Sequence, residues 1–487
     1  MDALKLGIWF SKDMKEMVTL NFDERLCDMK KLLFIWNARN LSLKGRITII
    51  KSLVLPKITF LLSLIYVPTD ILDNIHKILF DFLWRYKTPK VKKETITGLI
   101  EDGGLKMVDV HKMNIAAKCS WKRRLSCSEN QNSKILFLKM LSINESMLNK
   151  KLGSINLANC HSLFHKQILQ SWDEFYGVKS ISKSEIYNEY LLYNKQVTIG
   201  KRHITINQLP NKYGYNLKLL DIFDEHGFVL KREELNKKLE SNISQLLYNC
   251  VLTAIPSNWK IKVANKHQNN VERWPENVVF HVNDRPIPVQ KVTSKFVYAH
   301  LIKQKTKPPT SLNVWIDLYP FLEKINWSDI FQLPYKITKE AYIHGFQYKI
   351  LNRILNCNYN LHKWGIKDSP QCIFCTSIDT IQHHLYECEE CKNFWKSIED
   401  WIYEKLKVRF NFAICEIIFG FPSTDDPIFQ VLNFIIIYAK HYINNKRSNT
   451  KKPLFVEFIC IIKEKVNIFV EIENNDNIKY FFNMLLV

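Results

Sequence analysis

The sequence predicts a mainly α fold: a helical bundle, then a mostly helical C-terminal segment that contains a small Cys/His knuckle, with a minor β-hairpin between them. Three observations predict it. Apolar side chains recur at helical spacing through the first 125 residues. Strand-like alternation is confined to one short stretch near residue 200. Four cysteines fall within residues 372–391, the densest cysteine cluster of the chain.

The first 125 residues read as consecutive helices. A helix over 22–36 is predicted by an apolar stripe that includes Phe22, Met29 and Leu33. After a turn, Ser42 can cap a second helix that runs to near Pro56. A third helix is expected behind residues 68–70 and a fourth over about 109–125.

Beyond residue 125 the patterns are weaker. Alternating Val and Ile residues predict a short hairpin over 196–207. Helices are expected near 161–176, 213–225, 231–249, 340–357 and 428–442. Residues 303–309 are typical of an exposed connection, and 446–452 of a basic loop.

Size and charge restrict the function. A chain of 487 residues has room for about two to four domains. Lys and Arg number 69 against 48 Asp and Glu, a net charge of +21, which favours a polyanionic partner. Charge alone does not separate nucleic acid from an anionic membrane. However, no apolar run reaches the ~18 residues of a membrane span.

No secretory signal is visible, so the cysteines are expected to be reduced thiols or metal ligands.

The cysteine cluster has the spacing of a zinc site. With His383 as third ligand, Cys372, Cys375, His383 and Cys388 form C-x2-C-x7-H-x4-C. Zinc takes four thiolate or imidazole ligands in a tetrahedron, and a closed set of four leaves no place for a catalytic water. The expected ion is therefore structural. His384 and Cys391 remain alternatives to His383 and Cys388.

No catalytic constellation is convincing. Polymerase or nuclease chemistry needs carboxylates that hold two divalent ions. The adjacent pair Asp425-Asp426 is interpreted as a solvated loop, and the stretch 101–104 as a tight turn rather than an acidic metal loop. The basic runs 122–124 and 446–452 are either solvated surface or binding patches. No nucleotide-binding loop, serine-hydrolase elbow or zinc-protease motif is present.

Several stretches together are similar to one family: KLGI at 5–8, NFDERL at 21–26, RNLSLKGR at 39–46, IKSLVLP at 50–56, FLW at 82–84, EDGGLKM at 101–107, AIPSNWK at 254–260, FQYKILNRIL at 346–355 and GIKDSPQC at 365–372. With the Cys/His motif, these stretches resemble the thumb and C-terminal segment of LINE-type non-LTR retrotransposon reverse transcriptases. Residues 126–250 match most loosely.

The resemblance implies an organisation of the chain. Residues 1–10 correspond to the primer-grip edge of the palm, 11–125 to a thumb-like helical domain, 126–330 to a mostly helical connector with the short hairpin, 331–405 to the zinc-knuckle module and 406–487 to a C-terminal helical segment. The catalytic aspartates of this family of RNA-directed DNA polymerases belong to the palm and would lie before residue 1, so none is assigned here. Activity would then require a palm supplied separately or encoded upstream; a third reading is an interaction protein without affinity for nucleic acid.

The resemblance also implies partners. In this family the thumb and C-terminal segment hold template RNA and target or primer DNA, and the site of action is nuclear. Carried over, Arg39, Lys44, Arg46 and Lys51 would contact phosphate or sugar without reading sequence. Aromatic side chains near the Cys/His motif are candidates for stacking on bases, namely Phe374, Tyr386 and Trp395; the favoured interpretation is that Phe394, Trp395 and Trp401 pack a small core.

Overall fold

The mainly α prediction is confirmed. A computed structural model of the chain describes residues 3–127, 131–141, 162–176, 182–194, 196–200, 202–264, 271–274, 278–282, 285–422 and 426–486. The chain is 65% helical and only 4% strand. Asp425, half of the acidic pair considered above, lies outside the described residues.

The described residues form the following helices: α1 Met14–Asn37, α2 Leu43–Ile49, α3 Pro56–Leu64, α4 Thr69–Leu83, α5 Lys93–Thr97, α6 Val110–Cys127, α7 Gln131–Leu141, α8 Leu163–Tyr176, α9 Lys183–Asn188, α10 Arg232–Leu239, α11 Gln245–Ala254, α12 Ser257–Val263, α13 Ser294–Lys305, α14 Ser311–Leu318, α15 Trp327–Ile337, α16 Ala341–Leu351, α17 Asn358–Lys363, α18 Glu389–Leu406, α19 Ile414–Phe419, α20 Pro427–Ser448, α21 Phe455–Ile472 and α22 Asp476–Met484. Two π turns, Ile50–Val54 and His383–Glu387, continue or precede helices.

Strands occur as three antiparallel pairs: β1 Ala3–Lys5 with β2 Ile8–Phe10, β3 Thr198–Ile199 with β4 Arg202–His203, and β5 Val278–Val282 with β6 Arg285–Pro288. The β3–β4 pair lies within the hairpin predicted over 196–207. The β5–β6 pair was not predicted, because prolines at 286 and 288 speak against a strand.

The chain divides into two compact units, each assembled from separate segments. The first unit comprises Met1–Cys27, Lys57–His76 and Asp109–Gln304; the second comprises Asp28–Pro56, Lys77–Val108 and Lys305–Val487. The five ranges expected from the family resemblance stay a prediction. Among the described residues no single helix is both long and apolar enough to cross a membrane, although 43–54 and 56–64 together reach that length and hydropathy.

The first unit buries cationic side chains. Lys118 is fully buried, and its ammonium donates to the carbonyl oxygens of Leu62 and Ile65 at 2.6 and 2.5 Å. Lys122 is buried with its Nζ 3.9 Å from the centre of the Trp172 ring. Burial lowers the pKa of both lysines to about 7. Of the run 122–124, which the sequence left as either solvated surface or a binding patch, Lys122 is buried and Arg124 is exposed.

The second unit confirms several local predictions. The Ser42 hydroxyl accepts a hydrogen bond from the Gly45 amide at 3.1 Å and so caps α2. Gly103 adopts a left-handed conformation with φ of 81°, and its amide donates to the Ile100 carbonyl at 2.9 Å. The stretch 101–104 is thus the expected tight turn.

Three local predictions need correction. Residues 213–225 form two short 3-10 turns, Gly214–Asn216 and Leu219–Asp221, because the extended backbone at Leu217 and Lys218 separates them. The helix expected over 231–249 is split into α10 and α11, since Glu240 takes a left-handed conformation and Ser244 caps a new start. The basic loop at 446–452 begins later than predicted, because α20 continues to Ser448.

Candidate metal centre

The four residues of the predicted motif meet in space. One ligand atom from each of Cys372, Cys375, His383 and Cys388 lies within 4.8 Å of every other. The Sγ atoms of Cys372 and Cys388 are 3.8 Å apart, and the Cys375 Sγ is 3.3 Å from the His383 Nε2. Within the part of the chain that the structure describes, no other group of three or more His, Cys, Asp or Glu residues meets this criterion.

A tight turn presents the first two cysteines. An antiparallel bridge pairs Gln371 with Ile378, and the Cys372 amide donates to the Ser377 carbonyl at 2.8 Å. The Phe374 amide then lies 3.4 Å from the Cys372 sulfur. Backbone N–H groups that point at sulfur stabilise a thiolate, as a metal ligand requires.

The second pair comes from the entrance to α18. His383 begins the π turn, which closes with a 3.2 Å hydrogen bond from the Cys388 amide to the His383 carbonyl. Cys388 is the residue before the first turn of the 18-residue helix α18. The positive end of the helix dipole favours negative charge at this position. π turns are frequent at functional sites, where they redirect side chains.

The donor set fits a tetrahedral ion. A metal–sulfur distance of about 2.3 Å at tetrahedral angles separates two sulfurs by about 3.8 Å, which is the Cys372–Cys388 separation. A disulfide would require about 2.05 Å. The four residues can therefore hold a metal ion, and three thiolates with one imidazole are compatible with zinc.

The two alternative ligands lie at the edge of this group. The Cys391 thiol points to the His384 carbonyl oxygen at 3.5 Å. The imidazole Nδ1 of His384 lies 3.1 Å from a carboxylate oxygen of Asp379. Neither residue belongs to the group of four whose ligand atoms converge.

A buried ion pair, Asp379–Arg447, lies next to the Cys/His cluster. Arg447, at the end of α20, lies with its Nη2 2.9 Å from a carboxylate oxygen of Asp379 and 3.1 Å from the Cys372 sulfur. The exposed fractions of the Arg447 and Asp379 side chains are 1% and 3%. The backbone amide of Asn358 donates to the second carboxylate oxygen of Asp379 at 2.9 Å. Three zinc-bound thiolates would carry a net negative charge, which this arginine compensates.

The pKa values of the Cys372 and Cys388 thiols shift in opposite directions. Burial raises the pKa of the Cys372 thiol. The pKa of Cys388 lies below its usual range, because the Cys391 side chain bonds to its sulfur and Arg447 adds positive charge. Burial opposes ionisation of Asp379, yet the hydrogen bond from His384 and the charge of Arg447 hold its pKa below the usual range.

Sequence reasoning missed Asp379 and Arg447. Asp379 lies within the seven-residue gap of the motif, where an acidic residue between ligands was a usable signal. Arg447 gave none, because the sequence placed it among the cations of a basic loop. The structure corrects that prediction: Arg447 is helical and buried, whereas Lys451 and Lys452 are exposed.

The four cations expected to contact nucleic acid differ in exposure. Arg39 and Lys51 are exposed. Lys44 is partly buried, with its Nζ 2.8 Å from the His344 Nδ1 and 4.4 Å from the centre of the Tyr335 ring. Arg46 is 1% exposed, and its Nη1 donates to the Asn37 side chain at 2.9 Å and the Phe82 carbonyl at 2.8 Å.

The aromatic residues near the cluster serve the core. Phe394, Trp395 and Trp401 are buried in one hydrophobic cluster with α20 and α21, as the favoured interpretation predicted. The Trp395 indole also donates to the Leu385 carbonyl at 2.8 Å. Phe374 and Tyr386 are partly buried against the same cluster, and the Arg447 guanidinium lies 5.2 Å from the Phe374 ring centre.

Comparison of the sequence with models of known protein families finds no family model that matches. The functional reading therefore depends on the metal cluster, the charge distribution and the stretches quoted above.

Proposed function

We propose that the chain corresponds to the thumb and zinc-knuckle C-terminal segment of a LINE-type non-LTR retrotransposon reverse transcriptase, and that it binds RNA and DNA without catalysing polymerisation itself. The observation that carries the proposal is the convergence of Cys372, Cys375, His383 and Cys388 at tetrahedral spacing. The sequence stretches that resemble the family support it, because they extend from residue 5 to residue 372, where the Cys/His motif begins.

The ion we propose is one structural zinc. When bound, it supplies folding free energy to a short segment by cross-linking the 372–375 turn to the start of α18. The surrounding residues are already arranged for it: Arg447 balances the charge, and Asp379 orients Arg447. With four protein ligands, the site has no open position, so its role is to shape the second unit rather than to activate water.

The net positive charge also supports binding to nucleic acid. A net charge of +21 favours a polyanion, and the exposed Arg39 and Lys51 are free to approach phosphates. Such contacts position a backbone and carry no sequence information. The partners we propose are therefore template RNA and target or primer DNA, bound largely without sequence preference. The proposed location is the nucleus, where this family acts.

The test is a salt titration of binding. Fluorescence anisotropy of the zinc-loaded full chain is measured with labelled RNA and DNA of unrelated sequence between about 50 and 200 mM salt. Affinity should fall steeply and by the same factor for each sequence, because counterion release dominates the free energy. Affinity that does not change with salt, or no binding to either nucleic acid, would overturn the proposal.

The double variant Arg39→Gln/Lys51→Gln should lower the salt slope by about 1.5, since each phosphate contact contributes about 0.7–0.9. The matched control is Lys392→Gln/Lys396→Gln, which removes two exposed charges from the solvent face of α18. An equal change in both variants would show that Arg39 and Lys51 have no particular place in the interface.

A further inference from the structure

The second unit contains a groove of about 680 Å³ that is lined by cations and by no acidic side chain among the described residues around it. Residues of the turn at 40–46, of the segment 83–90, of 342–366 and of the end of α20 form its walls. Five of the lining side chains are cationic: Arg46, Arg85, Lys87, Lys90 and Lys349. Of the four residues expected to bind nucleic acid, only Arg46 lines it.

Two buried donors in residues that line the groove have no hydrogen-bond partner within the described part of the chain. The Nη2 of Arg46 is buried and makes no hydrogen bond, although Nη1 of the same guanidinium makes two. The indole nitrogen of Trp84, which also lines the groove, is buried and equally unpaired. Buried polar groups are almost always hydrogen-bonded, so these two donors are unusual, but both atoms are inaccessible to solvent and do not themselves contact a ligand in the groove.

A bound anion would reduce the repulsion between the cations of the groove. Burial and then the charge of Arg85 lower the pKa of Lys349. The same two causes, in the same order, lower the pKa of Arg46 to about 10. Cations that repel one another in a partly desolvated groove gain more from a phosphate than cations on an open surface do.

Aromatic and amide side chains also line the groove, beside aliphatic ones. Trp84, Phe346 and Trp364 contribute ring surface, and Asn40 and Asn356 contribute side chains that can both donate and accept. A duplex keeps its bases stacked inside and presents mainly phosphates to a concave wall. A single strand can place phosphates on the cations and its free bases against rings and amides.

We propose that this groove binds single-stranded nucleic acid, with backbone phosphates at its exposed cations Arg85 and Lys87. The inference rests on the proposed function and makes it specific: it names the strand state of the ligand and the surface that selects it. The Arg85 and Lys87 side chains are both exposed, whereas Arg46 is 1% exposed and adds positive charge to the wall of the groove.

The experiment compares two double variants of the full chain. Arg85→Gln/Lys87→Gln removes two exposed charges from the groove, and Lys30→Gln/Lys31→Gln removes two exposed charges from α1, outside it. Arg46 is left intact because its bonds to Asn37 and Phe82 hold the fold. Anisotropy with fluorescein-labelled oligouridylate measures affinity, and unlabelled single-stranded or duplex RNA of equal length competes.

The groove variant should lose about tenfold in affinity for oligouridylate and the control less than about threefold. Single-stranded RNA should compete at least about tenfold better than duplex. If the wild type binds but both variants lose equally, or if duplex competes as well, the groove is not the site while the proposed function stands. If the wild type binds no nucleic acid, both the function and the groove assignment fail.

Discussion

The guanidinium of Arg447 lies 3.1 Å from the sulfur of Cys372, although 75 residues separate the two in sequence. The same nitrogen is 2.9 Å from the Asp379 carboxylate. The end of α20 is thereby tied to the Cys/His turn through a buried charge. Because the Asp379 and Arg447 side chains are 3% and 1% exposed, removal of either leaves the other without its opposite charge in a buried site.

Arg447→Met should lower the free energy of unfolding of the metal-loaded protein by about 3–5 kcal/mol, the usual cost of an unpaired buried charge. It should also weaken metal binding about 10- to 100-fold, because residues that support ligands tune affinity on this scale. Chemical denaturation and competition with a chromogenic chelator measure the two effects. Lys446→Met is the matched control: the Lys446–Glu457 pair is partly exposed, so its loss should cost less than about 1 kcal/mol. Equal effects in both variants would contradict the supporting role of Arg447.

Metal content distinguishes the ligands. The chain purified under reducing conditions should contain about one zinc, by elemental analysis, because the four converging ligands form one closed site. Cys372→Ser and Cys388→Ser should each lose it, since neither retains four strong ligands. Cys391→Ser should keep it, because the Cys391 thiol faces the His384 carbonyl. Zinc retained in Cys388→Ser but lost in Cys391→Ser would move the fourth ligand to Cys391.

Local patterns predicted the helices well because their causes are local. The apolar stripe over 22–36 lies within α1, and the Ser42 cap needs only the amide of Gly45, three residues on. The spacing of the Cys/His motif is similarly local, since one turn and one helix entrance supply all four ligands.

What the sequence could not predict depends on contacts between distant segments. Arg447 and Asp379 are 68 residues apart, and no pattern in either stretch marks one cation of a basic run as buried. Burial of Lys118 and Lys122 in the first unit has the same origin. The groove could not be predicted from the sequence either, because Arg46, Arg85 and Lys349 come together only in the folded second unit.

Lys440 makes stability depend on pH. Its ammonium is buried, donates to the Gln347 side chain at 2.8 Å and has no charged partner among the described residues; burial lowers its pKa from 10.5 to about 7. Between these values the unfolded chain binds the proton and the folded chain does not, so stability rises with pH. Urea denaturation should show a gain of up to about 1.4 kcal/mol per pH unit above pH 7 from this residue.

The comparison variant is Lys440→Met, which should lose the contribution of this residue and keep that of Lys118 and Lys122, while the exposed Lys392→Met should keep the full slope. All three proteins are measured with zinc bound, so that metal release does not contribute to the slope. A slope that is the same in wild type and Lys440→Met would show that the Lys440 amine stays protonated in the folded protein.

Two glycines of the second unit should respond oppositely to alanine. A Cβ at Gly104 would lie 2.2 Å from the Gly98 carbonyl oxygen, which already accepts a hydrogen bond from the Lys106 amide at 2.9 Å. Gly104→Ala must therefore shift the backbone of the 98–107 turn, and we expect a loss of about 2–3 kcal/mol in unfolding free energy.

At Gly45, inside α2, the nearest atom to a Cβ is the Ser42 Oγ at 3.4 Å, an ordinary contact. Gly45→Ala should stabilise by about 0.5–1 kcal/mol, because alanine loses less conformational freedom in a helix. Denaturation of both variants in parallel decides the point: a tolerated Gly104→Ala would show that the turn is looser than its hydrogen bonds indicate.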